Sequence, residues 1–452
     1  FSTPLMMYDS NHREIYACRK PVAIYPFCPE NGVEIVENPS SITGDVIGDT
    51  AYSERFVLKI LLKLANRDTL KEEVSEQPFE EELCTLWEMS AEKDVVLYLQ
   101  KHDTLKLFTF ALPVIDSPRT IELIIGTMAN MCCHQEVVDT LMANNDLLKL
   151  LMDFLKSDDS QILNQILRLI SSCLYNAEGD KLIFWMNMFA AYEYANTIYF
   201  ILTNSSNKEL LATTFENLNT IFVICHNDES DLDLVFAETF ATPDASAAVY
   251  AGYCEYQILA CPDESLDRFN FITVSLMLKF ITGTQVIYEE RINNVNIAMN
   301  DSMENGVKLI RDILLSYEGK MIEHEVGNID IDFHAVLEAI IVFIESLELS
   351  RVCSPDKYFS PSYNLWKVIT PNGREENNEL LKEFMDDIKN SLGSIMCTYM
   401  AQCTDENLLQ VLDEIGDNYG NVVSQISNVE LQATIANRAL NFRNRINENV
   451  DV

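Results

Sequence analysis

The feature that most constrains this chain is a pattern of helices written three times between Asp103 and Cys225. The first copy runs Asp103-Thr-Leu-Lys-Leu-Phe108, a break at Asp116-Ser-Pro-Arg119, then Thr120 to Cys133. The second runs Asp146 to Leu151, breaks at Ser157-Asp-Asp-Ser160, and resumes from Gln161 to Cys173. The third runs Thr197 to Leu202, breaks at Asn204 to Asn207, and resumes at Glu209 to Leu218. Ile121 and Ile162 stand 41 residues apart, and Ile162 and Leu210 stand 48 apart. One such unit cannot bury its own apolar face, so its stability comes from stacking on its neighbours.

A step of roughly 40–47 residues with two or three helices each is the armadillo and HEAT signature. The chemistry of one copy agrees with it. Ser117 is a good N-cap, and Pro118 falls at the first helical position, where a missing N–H costs nothing. Ile121, Ile125, Met128 and Cys132 recur at helical spacing, Gly126 lets a neighbouring helix come close, and His134 opens a short helix with Val137, Val138 and Leu141. The expected fold is all-α: an armadillo/HEAT-like superhelical solenoid with a disordered N-terminal arm and long acidic loops.

Around these copies the chain divides by composition. Residues 1–48, with Pro4, Pro21, Pro26, Pro29 and Pro39, read as a flexible N-terminal arm. Residues 49–67 hold an amphipathic helix opened by Ser53, with Phe56, Val57, Ile60, Leu61 and Leu64 on one face. Residues 68–79 read as an acidic linker, and 80–225 as repeats whose N-terminal cap (80–102) carries Leu83, Leu86 and Trp87 inward. In that cap Ser90 is expected to start the next helix. An acidic, Ala-rich insertion or loop (226–263), helical repeats (264–349), a Pro-containing loop (350–378) and C-terminal helices (379–452) follow.

Two stretches of the cap and first repeat resemble a known family. Glu82-Leu-Cys-x-x-Trp-Glu-Met-Ser90 followed by Lys93 to Gln100, and Gly126-Thr-Met-Ala-Asn-Met-Cys-Cys-His-Gln-Glu136, are similar to the serum amyloid A-like (SAAL) family, as is Ile47 to Ser53. The resemblance covers about residues 44 to 225. It implies an armadillo-type helical-repeat protein, nuclear or nucleocytoplasmic, linked to cell proliferation and without recognised enzymatic activity. It carries no site residues with it.

Charge narrows the partners. A formal net charge of −38 over 452 residues repels phosphates, so nucleic acid is not an expected ligand. Protein or peptide partners, especially Lys/Arg-rich segments, would be steered toward such a surface. The 12 cysteines are scattered, with Cys84, Cys132 and Cys173 on apolar helical faces, as reduced buried thiols are. No secretory signal or transmembrane run is expected, because the most apolar helices carry Lys279 or Glu338. These signs point to an intracellular protein.

No set of catalytic, cofactor-binding or metal-ligating residues assembles. His324-Glu325 lacks the second histidine of a zinc protease helix. Cys132 and Cys133 are adjacent and have no second ligand pair at zinc-like spacing. Asn328-Ile-Asp-Ile-Asp332 has Phe333 where a calcium loop needs glycine. No phosphate-cradling loop and no nucleophile elbow is present.

The expected function is a non-catalytic scaffold or adaptor whose last helix in each repeat lines a partner-binding groove. Asn130, Arg168, Ser171, Glu216 and Asn219 are its candidate residues. The alternative is a transport receptor for basic signals, similar to importin alpha, whose groove helices pair a Trp with an Asn four residues on. Asn130 and Asn219 fall at the Asn position with Ser171 between them, but Gly126, Leu167 and Phe215 stand at the Trp position. The ladder is broken. An enzyme with an unrecognised site is the third class, to be revealed by a buried, perturbed titratable cluster in a closed pocket.

Overall fold

The computed structural model describes residues 45–175, 177–227, 232–261, 264–291, 296–323, 332–369, 379–426 and 428–450. Among these residues the chain is helical throughout, and its one β feature is an isolated antiparallel bridge between Val46 and Ser53. Residues 1–44 of the N-terminal arm lie outside the described residues, as do His324, Glu325 and Asn328 to Ile331. The last four arm residues are placed: Ile47 is buried, and Asp45 accepts from Ser53 Oγ at 2.8 Å and from Arg55 N at 3.0 Å. The chain forms two compact units, one reaching Thr197 and taking in Glu216–Leu232, the other formed by Ile198–Phe215 and Asp233–Val452.

The first unit starts with α1 (Glu54–Ala65), α2 (Arg67–Val74), α3 (Gln77–Met89), α4 (Lys93–Lys101) and α5 (Thr104–Ala111). Then come α6 (Pro118–Met131), α7 (Gln135–Met142), α8 (Asn145–Phe154), α9 (Ser160–Tyr175) and α10 (Asp180–Ala191). Helix α11 (Tyr194–Asn204) and helix α12 (Lys208–Asn227) complete the third copy of the pattern. Two helix starts are made by the side chains expected to make them. Ser53 Oγ accepts from Phe56 N, and Ser117 Oγ accepts from Thr120 N with Pro118 at N1. Asp159 accepts from the Gln161 and Ile162 amides to open α9.

Packing in this unit recurs at every third helix. Helix α6 lies between α3 and α9, and α5 packs on α8 as well as on α1. Because α6 is covered from both sides, Ile121, Leu123, Ile124, Ile125, Met128 and Met131 are all buried, not a single stripe.

The second unit uses a shorter rhythm. It contains α13 (Leu232–Phe240), α14 (Ala245–Leu259), α15 (Asp267–Arg291), α16 (Asn296–Glu323), α17 (Asp332–Ser346), α18 (Phe359–Ile369) and α19 (Glu379–Gln402). The last helices are α20 (Asp405–Ile415), α21 (Tyr419–Ser424) and α22 (Val429–Val450). Here α14 packs on α16, α15 on α17, α16 on α18 and α17 on α19, so contact recurs at every second helix. The Arg438 guanidinium on α22 donates to the Met400 and Cys403 carbonyls, satisfying the end of α19.

Three stretches read from sequence as loops are corrected. The acidic linker 68–79 is mostly α2 and the start of α3, anchored by buried Leu70 and Phe79. The insertion 226–263 holds α13 and α14, whose small residues pack tightly: a Cβ on Gly252 would meet Leu202 Cδ2 at 3.0 Å. The loop 350–378 contains α18, with Phe359, Tyr363 and Trp366 buried. Two of its prolines mark starts: Pro355 opens a 3-10 turn and Pro361 sits in the first turn of α18, where proline is tolerated, while Pro371 lies outside the described residues.

Candidate functional site

The five candidate groove residues fall on three helices of the repeated pattern. Asn130 ends α6, Arg168 and Ser171 lie on α9, and Glu216 and Asn219 lie on α12; all are half-buried. A row of side-chain hydrogen bonds passes through this region. Asn130 Nδ2 donates to the Trp87 carbonyl and to Ser90 Oγ, each at 3.1 Å. Its Oδ1 accepts from Arg168 Nη2 at 3.3 Å, while Arg168 Nη1 donates to Gln165 Oε1.

Two repeats further on, the same arrangement is made by Asn217. Its Nδ2 donates to the Leu167 carbonyl at 3.1 Å and to Ser171 Oγ at 3.0 Å. Tyr194 donates its phenol proton to Asn217 Oδ1 at 2.6 Å. Each asparagine thus joins its helix to a carbonyl and a serine of the preceding repeat. Ser90, Asn130, Ser171 and Asn217 occupy matching places, with serine and asparagine alternating.

This geometry corrects two readings. The partner of Asn130 in the third copy is Asn217, so the step from the second copy is two residues shorter than the match of Ile162 to Leu210. No described hydrogen bond joins Asn219 to the row, whereas Asn217 is 1% exposed and fully engaged. Ser90 does not open α4. It lies buried at the end of α3, donating to the Trp87 carbonyl at 2.6 Å and accepting from Asn130, and α4 begins at Lys93 after an N-cap, Glu92, that makes no side-chain cap bond.

The amides of Asn130 and Asn217 are therefore occupied within the fold. An importin-like groove needs such amides to meet a ligand backbone, and here they hold neighbouring helices together. Asn217 was missed from sequence because it lies 46 residues beyond Ser171 whereas Asn130 lies 40 beyond Ser90, so an even repeat step does not reach it.

Elsewhere the first unit carries a charged cluster on its first helices. Lys59 Nζ meets Glu82 at 2.6 Å, and Lys63 Nζ meets Glu82 at 3.0 Å and Glu73 at 2.9 Å. Burial alone would raise the Glu82 carboxyl, but the two ammoniums outweigh it and hold it below the ordinary carboxylate range. Among the described residues no cluster of His, Cys, Asp and Glu could hold a metal ion. No described helix is long and apolar enough to cross a membrane.

No family model matches the chain. Comparison with curated proteins finds relatives over part of it. The chain is 29% identical over 191 residues to Protein SAAL1 of Homo sapiens, covering 40% of each chain. It is 27% identical over 195 residues to Protein saal1 of Danio rerio, covering 41% of each, and 26% identical over 224 residues to that of Xenopus tropicalis, covering 47% of each. The match spans less than half the length of these relatives. Over that part the chain is similar to the serum amyloid A-like proteins named SAAL1, in agreement with the motifs at Glu82–Ser90 and Gly126–Glu136.

Proposed function

We propose that this chain is a non-catalytic scaffold of armadillo type that binds protein or peptide partners along the last helices of its repeats. The reading is supported above all by the hydrogen bonds between Ser90 and Asn217: an Asn-to-Ser arrangement ties α6 to α3 and α12 to α9, and Arg168 ties α9 to α6. A surface held rigid in this way presents side chains at a regular interval, which is how extended repeat proteins recognise extended partners. Arg168, Glu216 and Asn219 are the half-buried groups beside the row and would read the partner. With a net charge of −38 the partner's outer side chains are Lys/Arg-rich, their encounter steered by charge and their residence set by apolar contact. A nuclear site and a part in cell proliferation rest on the resemblance to the SAAL family.

The test is proximity labelling from the native locus. The unsubstituted chain is compared with a chain carrying Arg168→Ala and Glu216→Ala. The reading expects a discrete group of labelled proteins to be lost in the variant at equal expression. An unchanged set of labelled proteins overturns it.

A further inference from the structure

On its outer side α1 carries a second pattern, unrelated to the row on α6, α9 and α12. Arg55, Lys59 and Lys63 fall at every fourth position of α1, and Arg67 opens α2 just beyond it, four of the 32 Lys and Arg residues of a strongly acidic chain. On a helix that spacing puts successive side chains on one stripe, and Leu58 and Leu62 fall three residues after Arg55 and Lys59, along the same stripe. Arg55, Leu58, Lys59, Leu62, Lys63, Asn66, Thr69 and Glu73 line an open groove of about 450 Å³.

Two properties distinguish this groove from ordinary surface. Leu62 is 69% exposed although the opposite face of α1, with Val57, Ile60, Leu61 and Leu64, is buried in the core. Two of the cations are also incompletely answered from within the chain, whereas Lys63 pairs with both Glu73 and Glu82. Arg55 has an 86% exposed side chain and meets Asp45 only at 3.9 Å, while Lys59 is 59% exposed and shares the Glu82 carboxylate with Lys63. Arg67 lies over the ring of Phe110, itself 44% exposed, 5.6 Å from its centre.

We propose that this groove docks an acidic amphipathic helix of a partner protein. Carboxylates four residues apart on the partner repeat every ~6 Å along its axis, the interval at which Arg55 and Lys59 present their charges. The partner's apolar side chains seat on Leu58 and Leu62 and on the aliphatic stems of Lys59 and Lys63. Apolar contact supplies affinity and the charges set orientation and encounter rate. This partner has the opposite charge to one bound along the repeat row, so the two surfaces would serve different proteins.

The experiment is a fluorescence anisotropy titration of the full chain with a labelled Glu/Leu amphipathic peptide of roughly 15–20 residues. The controls are a scrambled peptide of the same composition and a Lys/Leu version. The expected result is saturable binding of the Glu/Leu peptide, weakened by salt and at least ~10-fold weaker in an Arg55→Glu, Lys59→Glu chain. Leu62→Asp, which disturbs no buried contact, should weaken it similarly. Arg168→Glu, on the repeat row, should leave it unchanged. Equal binding of the scrambled peptide, or affinity unmoved by both α1 variants, overturns the proposal. So does binding to vesicles containing phosphatidylserine, lost in the same variants, without binding of the Glu/Leu peptide; that outcome assigns the stripe to an anionic membrane surface.

Discussion

The indole of Trp87 on α3 lies against the bare backbone of Gly126 on α6: a Cβ at Gly126 would stand 2.6 Å from Trp87 Cε2. Trp87 is 3% exposed, so its ring has nowhere to go without opening the packing of α3 on α6. In an exposed helix Gly→Ala would stabilise by up to ~1 kcal/mol. Here Gly126→Ala should instead destabilise by about 1–3 kcal/mol, the usual cost of overpacking. Adding Trp87→Leu should remove most of that penalty relative to Trp87→Leu alone. Urea denaturation of the four chains measures both effects, and a stabilising Gly126→Ala would contradict the contact.

The two ladder asparagines should differ in weight. Each makes three hydrogen bonds, but Asn217 is buried, whereas Asn130 is half-buried and water can replace part of what it supplies. Asn217→Ala is expected to cost about 2–3 kcal/mol and Asn130→Ala about 1 kcal/mol. Equal losses, or the reverse order, in denaturation midpoints would show that the row is not built as described.

The fold was legible where local chemistry and packing agreed. Ser117-Pro118 named the start of α6, and Ser53 named that of α1, because caps are read from adjacent residues. Helix α14 was hidden because Ala245, Ala248 and Gly252 give little apolar contrast between faces, although the smallness of Gly252 is what lets Leu202 approach. Helix α18 was hidden by Pro361, read as a breaker when it stands in the first turn. The candidate site was half legible. Asn130 could be placed by its repeat position, but the step to α12 depends on the length of the loops between, and only the hydrogen bonds to Leu167 and Ser171 set it on Asn217.

Acid should weaken the α1–α3 contact. The Glu82 carboxyl is held below its ordinary value near 4.5 by Lys59 and Lys63, so its contribution is full above that pH. It is lost as the pH falls through the lowered folded value. Glu82→Gln should therefore lower the urea midpoint at pH 7, and the difference should shrink only as the pH falls through the lowered folded value. The same loss above and below that value would rule out charge as its source.

Thiol reactivity should sort by burial. Cys133 and Cys261 are exposed, whereas Cys84, Cys132, Cys173 and Cys225 are buried. Burial pushes the Cys173 thiol well above its ordinary range and that of Cys353 up to about 11, so both remain protonated near neutrality. Timed iodoacetamide labelling of native chain at neutral pH, read by mass spectrometry, should modify Cys133 and Cys261 first. Cys173 and Cys353 should react only as the chain unfolds. Labelling of Cys173 as fast as Cys261 would contradict its burial between α6 and α9.

The most direct test of the scaffold reading places a photo-reactive amino acid in the full chain at position 219 on α12. A second chain carries it in place of exposed Lys149 on α8. After irradiation in cells, cross-linked proteins are identified by mass spectrometry. The account predicts a discrete set captured from position 219, absent from position 149, and lost when Arg168→Glu is added to the first chain. Capture of the same proteins from both positions, or a set unchanged by Arg168→Glu, would show that partners do not bind along the repeat row.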